Sequence, residues 1–297
     1  MNLTPDSKVL IQGNVASQAL THAVLNMKAY GTNIVACVSP GQGGTHLQDI
    51  PIFDLVEQAQ AKVGPIDTSL IWVNPYLVLD AALEAIEAGV RQLIILTEGM
   101  PPLDMVRLIR KAEISETLII GPSCAGIIVP NQVLLGLHPS EFYSPGSVGL
   151  IGRGSRLTYE IAFQLSQAKL GQSMSVSIGS DLIIGSSFIQ WLQILDEDEQ
   201  TNVIVLVGEA SGNGEEEAAS YIAETIDKPV IAYIAGLHTP NRQFMGHSCS
   251  LTTSKLIAQT ICPPSIDTKI EAFKKAKIPL ADRPSQIPSL VKKALKK

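Results

Sequence analysis

Glycine-rich stretches with polar side chains follow several of the short apolar runs in this sequence, and the first of them spans residues 12–18. Within it, Gly13 permits a tight turn and Ser17 stands where the N-cap of a helix is expected. The backbone N–H groups at such a helix start can bind a phosphate. An ordinary capped helix explains the same residues, because Gly13 alone does not make a GxGxxG dinucleotide motif. Both interpretations stay open at this loop.

Two further stretches in the first half of the chain have the same character. Residues 39–46 are rich in glycine, and their exposed amides can surround a nucleotide-like ligand, although a plain surface loop fits equally well. In residues 97–101, Thr97 and Glu98 place a hydroxyl and a carboxylate at the end of an apolar run. Glu98 also suits the start of a helix, where the helix dipole favours an acid.

Residues 152–159 in the second half follow an apolar run and open a helical stretch. The third glycine of a dinucleotide motif is missing here too. Gly154, Ser155 and Arg156 combine free backbone N–H groups, a hydroxyl and a guanidinium at a helix start. This combination is typical of a site for a small anion.

Two kinds of glutamate follow the next apolar run. Glu209 comes directly after Gly208, at the end of the run itself, and is a candidate functional carboxylate. Glu215, Glu216 and Glu217 open a helix, and we expect them to form its solvent-exposed first turn because the dipole favours acids there.

Isolated histidines on loops are usually ordinary polar surface residues. We expect this of His22, His46, His138 and His238. Spacing alone does not distinguish His247 from these four.

The elements that must position these loops are strands that are apolar on both faces, alternating with helices. The apolar runs are residues 9–11, 34–38, 70–73, 93–96 and 118–120, then 148–151, 175–178, 203–207 and 230–234. Between them, Leu20, Val24 and Met27 have helical spacing and Gly31 stops the helix, and a similar pattern ends at Gly89. This alternation predicts β-α-β units and parallel sheets, in which ligands bind at the carboxyl ends of strands.

The alternation weakens across residues 123–147, where prolines and glycines are frequent. The sequence therefore predicts an α/β fold with two doubly wound domains. We place the first domain at residues 1–125, a connection at residues 126–146 and the second domain at residues 147–297.

Composition excludes several other classes of protein. The 297 residues are 45% hydrophobic and carry a formal net charge of -6, which disfavours nucleic-acid binding. No apolar run reaches the roughly 18 residues of a membrane span, so buried strands explain the mean hydropathy of +0.22. Four cysteines form no CxxC pair, which argues against a zinc site or a disulfide scaffold. With no signal-peptide pattern at the N-terminus, we expect a cytoplasmic protein without a membrane partner.

Several motifs in a fixed order across both predicted domains carry a specific resemblance. They are residues 30–32, 43–47, 97–101, 157–160, 208–209, 235–237 and 245–247. With these motifs the chain resembles the α subunit of succinyl-CoA synthetase, a nucleoside-triphosphate-dependent acid–CoA ligase (succinate–CoA ligase, ADP- or GDP-forming). The resemblance implies an N-terminal Rossmann-like domain that binds coenzyme A and a C-terminal flavodoxin-like ligase domain.

The resemblance also implies roles for individual residues. His247 matches the histidine that is phosphorylated during turnover, Glu209 the carboxylate that orients it, and Tyr159 a tyrosine beside the acid substrate. Gly154, Ser155 and Arg156 form the helix start that we expect to receive substrate or phosphate. The expected coenzyme A contacts are Val15, Ala16, Ser17, Gln18, Gln42, Leu96, Thr97 and Glu98.

A partner subunit follows from the same resemblance. In the family, a β subunit with an ATP-grasp fold binds ATP or GTP with Mg, in an αβ or α2β2 assembly. The lack of a Walker-type GxxxxGK[ST] motif in this chain fits that division of labour. We expect a short carboxylic acid, by default succinate, as the third reactant.

The sequence departs from the family pattern in the glycine-rich loops. Val15 and Ala16 replace a threonine and a glycine, and Gln42 replaces a lysine that can pair with a phosphate of coenzyme A. Losing such a charge-assisted contact costs about 1.5 to 3 kcal/mol, which predicts weaker binding of coenzyme A. Residues 248–253 replace a glycine-rich run. A non-catalytic, coenzyme A-binding or regulatory relative is therefore the alternative, whereas a nicotinamide-dependent dehydrogenase is excluded by the absence of GxGxxG.

Overall fold

The computed structural model describes residues 3–209, 214–236 and 266–296, with the side chain of Ser155 left out. The chain divides into two compact units. The first comprises the residues up to Ile128 with Gln132–His138 and Ile183–Gly185, and the second comprises Val129–Asn131, Pro139–Leu182 and the residues from Ser186 onward. Within the described residues, no helix is both long enough and apolar enough to cross a membrane.

Strands and helices alternate along the first unit. They are β1 (Val9–Gly13), α1 (Gln18–Ala29), β2 (Ile34–Val38), β3 (His46–Leu47), β4 (Ile50–Phe53), α2 (Val56–Val63), β5 (Thr68–Trp72), α3 (Val78–Glu87), β6 (Gln92–Ile95), α4 (Pro102–Ile114), β7 (Leu118–Ile120), β8 (Gly126–Val129) and β9 (Val133–Gly136). Seven of these strands form a sheet in the order β3-β4-β2-β1-β5-β6-β7.

The path of the chain through this sheet reverses direction at β1. From β1 the chain passes to β2 on one side and later to β5 on the other, and both strands pair with β1 in parallel. Gly13 and Trp72 lie opposite each other where β1 and β5 end. Ligands of open α/β sheets bind in the crevice at such a reversal.

Helix α1 shows why the sequence pattern was informative in this unit. Its buried residues include Leu20, Val24 and Met27, which cover the sheet from one helical face. The helix ends before Gly31, whose φ of +106° is a conformation that glycine adopts without strain.

The second unit contains the remaining elements. They are β10 (Pro145–Gly152), α5 (Ser155–Gln167), β11 (Gln172–Ser177), α6 (Phe188–Glu197), β12 (Val203–Gly208), α7 (Glu215–Thr225), β13 (Val230–Ile234), α8 (Ile266–Lys275) and α9 (Ile287–Ala294). Four parallel strands run in the order β13-β12-β10-β11. Here the reversal lies between β10 and β12. The two alternating α/β units confirm the predicted fold class.

Residues 126–146 differ from the sequence-based expectation because they contain β8 and β9, which are hydrogen-bonded neighbours. Gly126 and Gly136 indicate loops in a pattern analysis, but here they allow two backbones to approach closely. A methyl group at Gly126 would overlap the carbonyl oxygen of Leu135, and one at Gly136 would overlap that of Ala125. Glycine therefore fits these strands for a steric reason.

Candidate functional site

The carboxylate of Glu209 and the start of α5 lie together at the end of the second sheet. Strands β10 and β12 pair in parallel with Gly152 opposite Val207, so residues two positions further on reach the same edge. There, Oε1 of Glu209 occupies the space that a methyl group at Gly154 would need. The predicted carboxylate thus adjoins the predicted anion-binding helix start.

Helix α5 presents the positive end of its dipole at this point. Gly154 is its N-cap residue and makes no side-chain cap, and no acidic residue occupies the first turn. The hydroxyl of Thr158 donates to the Gly154 carbonyl at 2.5 Å, which ties the N-cap to the first turn. The helix start therefore favours a negative charge, and in this structure the Glu209 carboxylate lies against it.

The other residues predicted for this helix differ in exposure. Ser155 is the first residue of α5, Arg156 is exposed beside it, and Tyr159 is half-buried one turn further on. Tyr143, which was not predicted as a site residue, is buried, and burial raises the pKa of its phenol more than a hydrogen bond with Ser175 lowers it. Tyr143 is therefore a neutral hydroxyl at pH 7.

Arg153 is a second residue that sequence reasoning missed. It lies between the end of β10 and Gly154, is only 2% exposed, and donates from Nη2 to the Asp181 carbonyl oxygen at 3.0 Å. Its backbone N–H donates to the Val207 carbonyl oxygen at 3.0 Å. Arg153 thereby links the end of β10 to β12, and an arginine at the end of an apolar run was the signal that could have identified it.

The backbone of Glu209 is held by two buried charged residues. Its N–H donates to Oε1 of Glu215 at 3.1 Å, and its carbonyl accepts from Nζ of Lys269 at 2.8 Å. The expectation that Glu215, Glu216 and Glu217 are all solvent-exposed is wrong for Glu215, which is 0% exposed. The cause is Lys269, which forms a 2.9 Å ion pair with it.

The position of Lys269 in the sequence indicates a buried ion pair, which was not predicted. It lies on α8 one turn before Phe273, and these two residues form the buried face of the helix. A lysine on the apolar face of a helix is unusual, because a buried ammonium needs a partner.

The first of the predicted coenzyme A loops forms the helix start that its sequence suggested. Ser17 is the N-cap residue of α1 and Gln18 its first residue. The exposed Asn14 accepts a hydrogen bond from Ala16 N–H at 3.0 Å, and the Val15 carbonyl accepts one from the Thr21 hydroxyl at 3.2 Å. These residues follow β1 directly at the reversal of the first sheet.

The second loop is closed on itself by a residue that was not predicted. Oδ1 of Asp54 accepts hydrogen bonds from Gly41 N–H at 2.7 Å and Gly43 N–H at 3.0 Å. A side chain at Gly43 would overlap the same carboxylate. Gln42 is half-buried between these glycines. Two of the amides that we expected to face a ligand therefore bind an internal carboxylate.

In the third loop, residues 96–98, two of the predicted residues are buried and one is exposed. Leu96 and Thr97 are buried, and the Thr97 hydroxyl donates to the Val73 carbonyl oxygen at 2.9 Å. Glu98 is exposed at the end of β6. Because β1, β2 and β6 are parallel members of one sheet, all three loops lie at its carboxyl edge. Within that edge, β5 separates β6 from β1.

The histidines only partly follow the expectation. His22 and His46 are exposed as predicted. His138 is buried, so its assignment as a surface residue is wrong; its Nε2 lies 3.0 Å from the Gly126 carbonyl oxygen, and burial lowers its pKa to about 4. His238 and His247 lie outside the described residues.

The described residues on both sides of 237–265 contact the end of β12. On the N-terminal side, Ala235 N–H donates to the Gly208 carbonyl oxygen at 2.9 Å. On the C-terminal side, Lys269 reaches the Glu209 carbonyl oxygen. Ala235 and Lys269, on either side of residues 237–265, thus both contact this strand end.

Two family models match this chain, one in each half of the sequence. Residues 4–99 match the model of the CoA binding domain family, and residues 145–264 match that of the succinyl-CoA ligase like flavodoxin domain. Among solved structures, ATP citrate lyase from Methanothrix soehngenii in complex with citrate and coenzyme A has the same fold over 99% of this chain, with a TM-score of 0.83 at 18% identity. This chain spans 51% of that one.

Two curated relatives share more of the sequence. Subunit alpha 2 of an ADP-forming succinate–CoA ligase from Archaeoglobus fulgidus is 36% identical over 289 residues, covering 97% of both chains. The alpha subunit of malate–CoA ligase from Methylorubrum extorquens is 38% identical over 260 residues, covering 86% of this chain and 87% of the relative. These matches confirm the resemblance indicated by the sequence motifs: the chain belongs to the succinate–CoA ligase alpha-subunit family.

Proposed function

We propose that this chain is the α subunit of a nucleotide-dependent acid–CoA ligase that carries a phosphoryl group on His247. The observation that carries the proposal is the placement of the Glu209 carboxylate against the N-cap of α5. A carboxylate and a helix N-terminus at one strand end suit a histidine that alternates between a neutral and a phosphorylated form. The contacts of Ala235 and Lys269, which lie on either side of residues 237–265, with that same strand end support His247 as this histidine.

The reaction proceeds in three balanced steps. A nitrogen of His247 attacks the terminal phosphorus of the triphosphate, forming a P–N bond while the P–O bond to the leaving diphosphate breaks. An oxygen of the substrate carboxylate then attacks that phosphorus, the P–N bond breaks, and an acyl phosphate forms. Finally the sulfur of coenzyme A attacks the acyl carbon: a C–S bond forms, the C–O bond to the phosphate breaks, and the thiol proton leaves with the inorganic phosphate.

Glu209 and the start of α5 act on different groups in this reaction. Glu209 accepts a hydrogen bond from the imidazole nitrogen that is not attacking, which fixes the tautomer and the orientation of the ring. The N-terminus of α5, with Ser155 and Arg156, stabilises the phosphoryl group, and Tyr159 lies beside the acid. A carboxylate is a poor acyl donor, and conversion into an acyl phosphate supplies the leaving group.

Coenzyme A binds at the carboxyl edge of the first sheet. The backbone of Val15 and Ala16 with the start of α1 at Ser17 and Gln18 receives its phosphates, and the segment 96–98 lines the neighbouring position. The contact of Asp54 with Gly41 and Gly43 supports weaker phosphate binding at the second loop than the resemblance alone suggests. A carboxylate there disfavours a second anion.

The nucleotide site belongs to a partner. We propose an ATP-grasp β subunit that binds ATP or GTP with Mg, since the matched relatives are themselves named as alpha subunits. The acid is a short dicarboxylic acid of the succinate or malate type, because those are the acids in the names of the relatives.

A non-catalytic coenzyme A-binding relative is the second candidate function. The replacement of a glycine-rich run by Ser248, Cys249, Ser250 and Leu251 after His247 favours it. The two functions are separated by purifying the chain with its β partner and supplying a triphosphate, coenzyme A and a panel of dicarboxylic acids. Formation of an acyl-CoA from at least one acid supports the ligase. Binding of coenzyme A without turnover of any acid would contradict the ligase and support the second function.

A further inference from the structure

Glu209 is enclosed by a ring of hydrogen bonds that ties its peptide group to two charged side chains. Oε1 of Glu215 accepts from the N–H of Glu209, Nζ of Lys269 donates to its carbonyl, and Nζ also pairs with Oε2 of Glu215. The three distances are 3.1, 2.8 and 2.9 Å. Both polar groups of one backbone residue are thus held by a single ion pair.

Both members of this ion pair are removed from water. Lys269 and Glu215 are each 0% exposed, and the pair joins α8 to the first residue of α7. Burying two charges is costly, and an apolar pair of similar size often gives equal or greater stability. A role in stability alone therefore does not account for charged residues at these two positions.

The contacts of the pair indicate what the charges achieve. Of their charged atoms, Nζ of Lys269 and Oε1 of Glu215 each bind a backbone atom of Glu209. An apolar pair could not make either contact. The side chain that leaves this fixed backbone ends against Gly154, where even a methyl group would displace it.

We propose that Lys269 and Glu215 are positioning residues that hold the Glu209 carboxylate at the N-cap of α5. This inference rests on the proposed function, in which Glu209 orients the phosphorylated histidine.

A double-mutant cycle between Lys269 and Glu209 tests this inference. The holoenzyme with its β partner is phosphorylated with labelled triphosphate, and the rate of acid-labile labelling is compared for wild type, Lys269→Met, Glu209→Gln and the double variant. We expect Lys269→Met to slow labelling by about ten- to a hundredfold, as misplacing a reacting group does, with KM for the triphosphate within about twofold of wild type. In the Glu209→Gln background the same change should have little further effect, since the group that Lys269 positions is already lost.

Two further variants keep the test decisive. Lys228→Met is the matched control, because Lys228 also donates from Nζ to two backbone carbonyls of the second unit, those of Leu195 and Asp198, without contacting Glu209. Its labelling rate should equal that of wild type. If Lys269→Met does not fold, the variant Lys269→Met with Glu215→Met removes both charges together and leaves neither buried alone.

The possible outcomes separate the two claims. Equal slowing by Lys269→Met in the wild-type and Glu209→Gln backgrounds, or wild-type labelling in the Lys269→Met and Glu215→Met double variant, would overturn the positioning role. Loss of labelling in wild type itself would instead contradict the proposed function on which the inference rests.

Discussion

Oε1 of Glu209 lies where the β-carbon of any residue other than glycine at position 154 would stand. The relationship follows from the parallel register of β10 and β12, which brings residues 154 and 209 to the same edge of the sheet. The contact joins the carboxylate at the end of β12 to the start of α5, the helix that follows β10. Phosphoryl transfer through His247, as proposed, depends on this contact.

Substitution of Gly154 by alanine tests the contact directly. The added methyl group overlaps the carboxylate, so Glu209 must move away from the N-cap of α5. We expect labelling with triphosphate to slow by about a hundredfold, because a displacement of about 1 Å at a reacting group has that effect. The exposed Gln167→Ala at the other end of α5 is the control and should label at the wild-type rate. Unchanged labelling of Gly154→Ala would show that this carboxylate is not required where it lies.

Gln42 stands where the family pattern has a lysine, so restoring the lysine should strengthen the binding of coenzyme A by the first unit. In the Gln42→Lys variant, a charge returns to the glycine-rich loop, and coenzyme A should bind about tenfold more tightly at low salt. The gain should shrink as ionic strength rises, because salt screens a partly exposed charge. Titration calorimetry at two salt concentrations measures both effects. Gln60→Lys on α2 adds the same charge elsewhere in the unit, and an equal gain there would refute a specific phosphate contact.

Buried His138 predicts a loss of stability in mild acid. Its pKa is near 6.5 when unfolded and is lowered to about 4 in the folded protein by burial. Folding therefore favours the neutral ring. Its contribution to the free energy of unfolding is complete above pH 6.5 and is lost as the pH falls towards 4. The loss amounts to about 3 kcal/mol by pH 4.

Urea unfolding at pH 7 and pH 4.5 checks the role of His138. The His138→Gln variant should lose less stability between these two pH values than wild type does, whereas His22→Gln, at an exposed position of α1, should follow wild type. Identical pH dependence of all three proteins would rule out His138 as the source.

A carbonyl oxygen only accepts, so the neutral ring of His138 carries its proton on Nε2 towards Gly126.

Much of the fold could be predicted because the local pattern and the final structure agree. Apolar runs became buried parallel strands, and Gly31 ended α1 as expected. The strand ends that carry Gly154 and Glu209 were predictable for the same reason, since parallel strands end at a common edge. Strands β8 and β9 were not, because Gly126 and Gly136 indicate loops until their close backbone contact is known.

The supporting residues of the site were harder to predict than the site itself. Glu215 belongs to a run of three glutamates that suits an exposed helix start, and only Lys269, which is 54 residues away, makes its burial possible. Asp54 likewise acts on a loop 11 to 13 residues before it. Long-range contacts of polar side chains leave no periodic pattern in the sequence. An isolated charge on an apolar helix face, as at Lys269, is the exception.

The proposed function requires that the chain carries a phosphoryl group on His247 under the control of Glu209. The most direct measurement incubates the chain and its β partner with labelled triphosphate and locates the acid-labile phosphate by mass spectrometry of the peptides. We expect phosphate on His247 in wild type and in His22→Ala, none in His247→Ala, and slow formation in Glu209→Gln. Equal labelling of wild type and His247→Ala, or phosphate located on any other residue, would contradict it.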